Sequence, residues 1–157
     1  LELGLNKTMF KNILFSALFL GVCQFPAMAD PFLVTPEEVS QSSEADTGIR
    51  PKSVPVLDVP IIELVLPKLP GEVTSPTPIE LRFIPVTPGT IKPESFKALY
   101  GALKVDITSR ILGVTQVTPT GISVKEAKLP KGKHRIQLLL EDSLGRVGSR
   151  WMEFEIN

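Results

Sequence analysis

Arg135-Ile-Gln-Leu-Leu-Leu-Glu141, then Asp142-Ser-Leu-Gly145, then Trp151-Met-Glu-Phe-Glu-Ile156, is the stretch whose reading decides the fold class. Ile136, Leu138 and Leu140 alternate with Arg135, Gln137 and Glu141, while Met152, Phe154 and Ile156 alternate with Trp151, Glu153 and Glu155. Side chains two residues apart share one face of a strand, so each stretch turns an apolar face inward and a polar face to water. Asp142 to Gly145 supplies a turn, with Gly145 available for positive φ. An antiparallel hairpin is expected.

Upstream the same pattern recurs in shorter pieces. Ile61-Ile-Glu-Leu-Val-Leu66 reads as a strand stopped by Pro67 and Pro70-Gly71. Ile79, Leu81 and Phe83 alternate with Glu80 and Arg82 until Pro85 and Pro88-Gly89 end the run. Phe96 to Tyr100, Leu103 to Ile107 and Gly121 to Lys125 complete a set of about seven strands broken by turn residues, the signature of an all-β domain. Pro93-Glu-Ser-Phe-Lys-Ala-Leu-Tyr100 also suits the first turn of a helix, because Pro and Glu favour that position.

Before residue 57 the composition is different. From Met9 the order is a basic region with Lys11, an apolar run from Ile13 to Val22, and the small-residue triplet Ala27-Met28-Ala29. This is the three-part layout of a secretory signal peptide over residues 1–29, with cleavage expected between Ala29 and Asp30. The apolar run is about half of the roughly 20 residues that a membrane-spanning helix needs. Leu20-Gly-Val-Cys23 offers a second processing route, lipidation of Cys23, although Val22 is bulky where a small residue is usual. Residues 30–56 are mostly polar or proline and read as an extended, disordered linker, having too little apolar surface to offset ordering entropy. The organisation expected is thus a signal peptide helix, a flexible linker and a folded domain over residues 57–157.

Charge and composition exclude several functions. The chain has 17 basic and 17 acidic residues, and loss of residues 1–29 leaves it near neutral. Nucleic acid and anionic lipid are bound through clustered positive charge, so nucleic acid is excluded as a partner and the membrane enters only through the signal segment or a lipidated Cys23. Cys23 is the sole cysteine and leaves with the signal, so the domain must hold together without disulfides.

Residues 57–157 resemble the immunoglobulin-like domains of bacterial secreted and surface proteins. Ser75-Pro-Thr-Pro-Ile-Glu-Leu-Arg-Phe83 looks like the second strand of that family, and Gly89-Thr-Ile-Lys-Pro-Glu-Ser-Phe96 resembles the lead into its third, followed by Val105-Asp-Ile-Thr108. Leu129-Pro-Lys-Gly-Lys-His-Arg-Ile136 with Leu140-Glu-Asp-Ser-Leu-Gly145 is similar to the segment around its last two strands. The resemblance implies an immunoglobulin-like antiparallel β-sandwich and a strand at Phe96 to Tyr100. It implies no chemistry, because such sandwiches host unrelated functions.

His134 is the only histidine, at the start of a strand where related sandwiches often place a Tyr that bonds back across the corner, and a structural role is expected for it. No catalytic triad or zinc site can be assembled from one His and no Cys. Copper sites of sandwich proteins use His and Met clusters, whereas residues 30–157 offer only His134 and Met152. Asp58, Asp106, Glu141 and Asp142 lie near turns or strand ends without a calcium-loop pattern, and Asp106 and Asp142 are expected to accept backbone N–H groups. Paired carboxylates for glycoside hydrolysis lack an aromatic-lined cleft. No cofactor and no enzymatic activity are expected.

Four of the eight Phe residues lie within residues 1–29, which leaves Trp151 and Tyr100 as candidate partner contacts. Trp151 falls on the polar side of its strand with Glu153 and Glu155. The function expected is an exported binding or structural module, periplasmic or extracellular, that engages an envelope protein. The alternative is a carbohydrate-binding module in which Trp151 meets a glycan.

Overall fold

The computed structural model describes residues 32–45 and 58–157. Seven strands form two antiparallel sheets: β1 (Ile61–Leu66), β2 (Thr77–Ile84), β3 (Lys97–Tyr100), β4 (Val105–Asp106), β5 (Gly121–Ala127), β6 (Gly132–Glu141) and β7 (Val147–Ile156). One sheet has the order β1-β2-β5 and the other β4-β3-β6-β7. Two short helices accompany them, α1 (Pro36–Ala45) and α2 (Thr108–Leu112). The expected all-β sandwich of about seven strands is the observed architecture. The expected signal peptide, with Cys23 and its cleavage site, lies outside the described residues.

The hairpin of β6 and β7 is continuous, pairing Gly132 with Ile156 at one end and Glu141 with Val147 at the other. Its inward residues His134, Ile136, Leu138, Leu140, Met152, Phe154 and Ile156 are all buried, as their alternation requires. They meet Ile62, Ile79, Leu81, Phe83, Ile122 and Val124 of the facing sheet in a single apolar core. Phe83 and Phe96 lie 5.9 Å apart across it.

Asp142 closes the hairpin. Its Oδ1 accepts the N–H groups of Leu144 at 2.9 Å and Arg146 at 3.0 Å, and its Oδ2 accepts Arg146 Nε at 2.7 Å. Gly145, at φ 78°, provides the left-handed residue that the turn needs. Burial by itself would raise the carboxyl pKa of Asp142, but the Arg146 side chain and the two N–H groups outweigh it and hold the group below its ordinary value. The turn is fastened in turn to the loop between β2 and β3: Ser143 N–H donates to Thr90 O at 2.8 Å and Arg146 Nη2 donates to Val86 O. Asp106 likewise accepts the N–H of Thr108 at 2.9 Å.

Two expectations need correction. The extended, disordered linker over residues 30–56 is not what residues 32–45 form; the remainder of that stretch lies outside the described residues. Thr35-Pro-Glu-Glu38 is a capping box, in which Glu38 N–H donates to Thr35 Oγ1 at 3.3 Å and Thr35 N–H donates to Glu38 Oε2 at 2.9 Å, and Pro36 occupies the first helical position. Leu33, Val34 and Val39 are buried in the sandwich core, and Leu33 N–H donates to Lys128 O at 3.1 Å. These three side chains supply the apolar surface that composition alone understates. The folded unit therefore includes residues well before 57.

Second, the strand expected over Leu103 to Ile107 is only two residues long, because Ile107 turns inward to cap α2, whose Ile111 is buried. The strand expected at Phe96 to Tyr100 is β3, and the helical reading of Pro93 to Tyr100 survives only as one 3₁₀ turn over Pro93–Ser95.

Two substitutions test this packing. Leu138 is 1% exposed and lines a small apolar cavity between the sheets, so Leu138→Ala should cost about 2–5 kcal/mol, read as a lower urea midpoint with unchanged slope. Because the carboxyl of Asp142 is held below its ordinary 3.8, its stabilisation is present above that pH and is lost as pH falls further. Asp142→Asn should therefore lower the melting temperature at neutral pH and flatten its fall below pH 3.8.

Candidate functional site

The outward residues of the four-stranded sheet form a face with an apolar middle. The register aligns Asp106, Leu99, Gln137 and Trp151 in one row across β4, β3, β6 and β7, and Lys97, Leu139 and Ser149 in the next. Leu99, Leu139 and Trp151 are all partly exposed. Below them the cross-strand pairs are Arg135 with Glu153 and Lys133 with Glu155. The result is a Leu–Leu–Trp patch with a charged margin.

Trp151 is not a bare platform. The Arg135 guanidinium carbon lies 4.4 Å from the centre of its ring, a cation–π arrangement, while Arg135 Nε stands 3.3 Å from Glu153 Oε1. Arg135, with 16% of its side chain exposed, is thus held by the indole and by a carboxylate. In the same row Gln137 Oε1 is buried with no hydrogen-bond partner among the described residues. Helix α1 reaches only the lower margin, where Ser42 and Ser43 face Lys133 and Arg135 across a cleft.

Tyr100 was expected as a second surface contact, and the structure places it elsewhere. It is 1% exposed and its hydroxyl meets His134 Nδ1 at 3.1 Å. The physical reason is parity: Tyr100 pairs with Ile136, and both share the inward face of their sheet. Burial, with Glu38 nearby, pushes the Tyr100 hydroxyl up to about 12.

His134 has the structural role expected of it. Its Nε2 lies 2.8 Å from the carbonyl oxygen of Pro130, and its ring stacks on Phe154 at 5.5 Å. A carbonyl can only accept, so Nε2 carries the proton and Nδ1 accepts from the Tyr100 hydroxyl. Burial pushes the imidazole below its ordinary value, against the opposing pull of the Pro130 carbonyl. His134 and Met152 are both buried, and the described residues contain no group of three His, Cys, Asp or Glu placed to hold a metal ion.

Two features escaped the sequence reading. Leu139 is an apolar residue at an outward position in the run Leu138-Leu-Leu140, and that break in alternation was the available signal for an apolar outer face. Arg110 binds Glu38 through Nη1 at 2.6 Å and Nη2 at 2.8 Å, and Nη1 also reaches Leu33 O at 3.2 Å. The Thr-x-x-Glu spacing could have revealed α1, but no local pattern links Glu38 to a residue so far along the chain.

The described chain is thus an all-β sandwich presenting one amphipathic sheet face, and no helix among its described residues is long and apolar enough to cross a membrane. No known protein family and no curated protein matches the sequence. Among solved structures, CopC from Methylosinus trichosporium OB3b is similar with a TM-score of 0.38 and 15% identity, over 55% of this chain and 81% of that one.

Trp151 is the sole tryptophan and reports on this face directly. Removal of the covering guanidinium by Arg135→Ala should shift its fluorescence to longer wavelength while costing about 0.5–1 kcal/mol of stability.

Proposed function

We propose that the chain is an exported, non-enzymatic immunoglobulin-like module that binds a protein partner through the outer face of its four-stranded sheet. The observation that carries this reading is the Leu99, Leu139 and Trp151 patch, three partly exposed apolar side chains on the outer face of paired neighbouring strands. Interfaces concentrate binding energy in a few aromatic and Arg anchors surrounded by a polar rim, and Trp151 with Arg135 inside a margin of Lys133, Glu153 and Glu155 has that composition.

The strand order supports the immunoglobulin-like reading. With β1 to β7 taken as strands A, B, C, C′, E, F and G, the sheets become A-B-E and C′-C-F-G. Export is supported by the layout of residues 9–29. His134 is enclosed with both ring nitrogens engaged, which leaves it no part in acid–base work at the surface. Arg135 lies over the Trp151 ring where a sugar would stack, so a protein surface suits this face better than a glycan.

A photo-crosslinking residue at position 139 or 149, on the four-stranded sheet, tests the reading against one at position 82 on the opposite sheet. Adducts with one envelope protein from 139 and 149, absent from 82 and abolished by Trp151→Ala in an otherwise folded protein, are the expected result. Equal labelling from all three positions would count against the face. Glycan binding that depends on Trp151 would replace the protein partner with a sugar.

A further inference from the structure

His134 is a buried titratable group on one wall of the cleft beside α1. In the neutral ring Nε2 donates to Pro130 O and Nδ1 accepts from the Tyr100 hydroxyl. A second proton, on Nδ1, would point at that hydroxyl oxygen and force the hydroxyl's own proton to turn elsewhere, while a charge arises against the face of Phe154.

The groups facing the imidazole offer no counter-ion. Across the cleft, Lys133 and Arg135 of β6 pair with Glu155 and Glu153 of β7. On α1, Glu38 is held by both terminal nitrogens of Arg110 from α2. From β3 only the Tyr100 hydroxyl reaches the ring. Solvation is the remaining way to accommodate the charge, and it requires one neighbour of His134 to move away.

The neighbours differ greatly in what holds them. Strand β6 is paired along its whole length with β7 and again with β3, so opening it disrupts the core. Helix α1 and the residues before it are held by the Glu38–Arg110 pair, the Arg110 Nη1 hydrogen bond to Leu33 O, a short bridge from Phe32 to Lys128, and the buried Leu33, Val34 and Val39. Its residues Ser42 and Ser43 form one wall of the cleft whose other wall includes His134 and Phe154. Gly101, at φ 69°, lets the chain pass so close beneath Ser42 that a Cβ there would collide with it. Local opening at the least-fastened element is the cheapest response.

We propose that α1 is an acid-released strap: protonation of His134 lifts residues 32–45 from the lower end of the sandwich while both sheets stay paired, uncovering the apolar seat of Val34 and Val39. The docked state binds the proton less readily than the open state, so docking is undiminished above the ordinary histidine value of 6.5 and weakens as pH falls below it. The Arg110 side chain holds Glu38 below its ordinary 4.5, so their ion pair survives through the intervening range. Opening between pH 6.5 and 4.5 is therefore the work of His134.

Hydrogen exchange of the whole chain, corrected for the intrinsic effect of pH on exchange, reads this out. Protection of residues 32–45 should fall by up to about tenfold per pH unit below 6.5, with β6 and β7 unchanged. In His134→Gln, which can still donate and accept, it should not change with pH over that range. Constant protection of the strap in the native protein, loss shared equally by β6 and β7, or the same loss in His134→Gln would each overturn the proposal. Because the chain has one histidine, an NMR titration of its ring provides a test that does not depend on the variant. The ring must titrate over the same range in which the strap opens, and titration outside that range overturns the proposal.

Discussion

The carboxylate of Asp142 is the constraint on which the rest of the structure depends. By accepting the N–H groups of Leu144 and Arg146 and the Arg146 side chain, it closes the turn between β6 and β7 in one register. Side chains alternate across a strand, so a slip of β7 by one residue against β6 would send Trp151 and Glu153 inward and bring Met152 and Phe154 to the surface. The same arginine reaches Val86 O, and Ser143 exchanges hydrogen bonds with Thr90, so the loop that crosses between the sheets is anchored to this turn. One buried carboxylate thereby connects hairpin register, sheet-to-sheet packing and the composition of the exposed face.

The opposite end is closed by different means. There the core is covered by α1, whose attachment combines three apolar side chains with the Glu38–Arg110 pair. A sandwich without disulfides must seal both ends of its core by packing. The upper end does so with hydrogen-bonded loops close in space to one another, whereas the lower end draws on a segment separated from β1 by more than a dozen residues. That difference in attachment makes the lower end the place where the fold can open without coming apart, and it is where the only histidine lies.

The face and the strap are separate in what they ask of the residues between them. Arg135 and Lys133 belong to both: they margin the Trp151 patch and form one wall of the cleft beside α1. Movement of the helix would change the lower margin of the face without touching Leu99 or Leu139, which lie higher on the sheet.

Period-two alternation in residues 135–141 and 151–156, with turn residues between them, determined the strands, their inward faces and the hairpin, because a strand's two-sidedness is written in neighbouring residues. It also determined that Trp151 points outward and that Asp106 and Asp142 serve their turns. The tertiary structure decided the rest. Whether Tyr100 was a contact or a core residue depended on the parity of its pairing with Ile136, which one short strand does not reveal. The fate of residues 32–45 depended on Arg110 and on a core able to take Leu33, Val34 and Val39, all supplied by distant parts of the chain. The seat beneath Arg135 was likewise invisible, since a cation and an aromatic ring on different strands become neighbours only once the register is set.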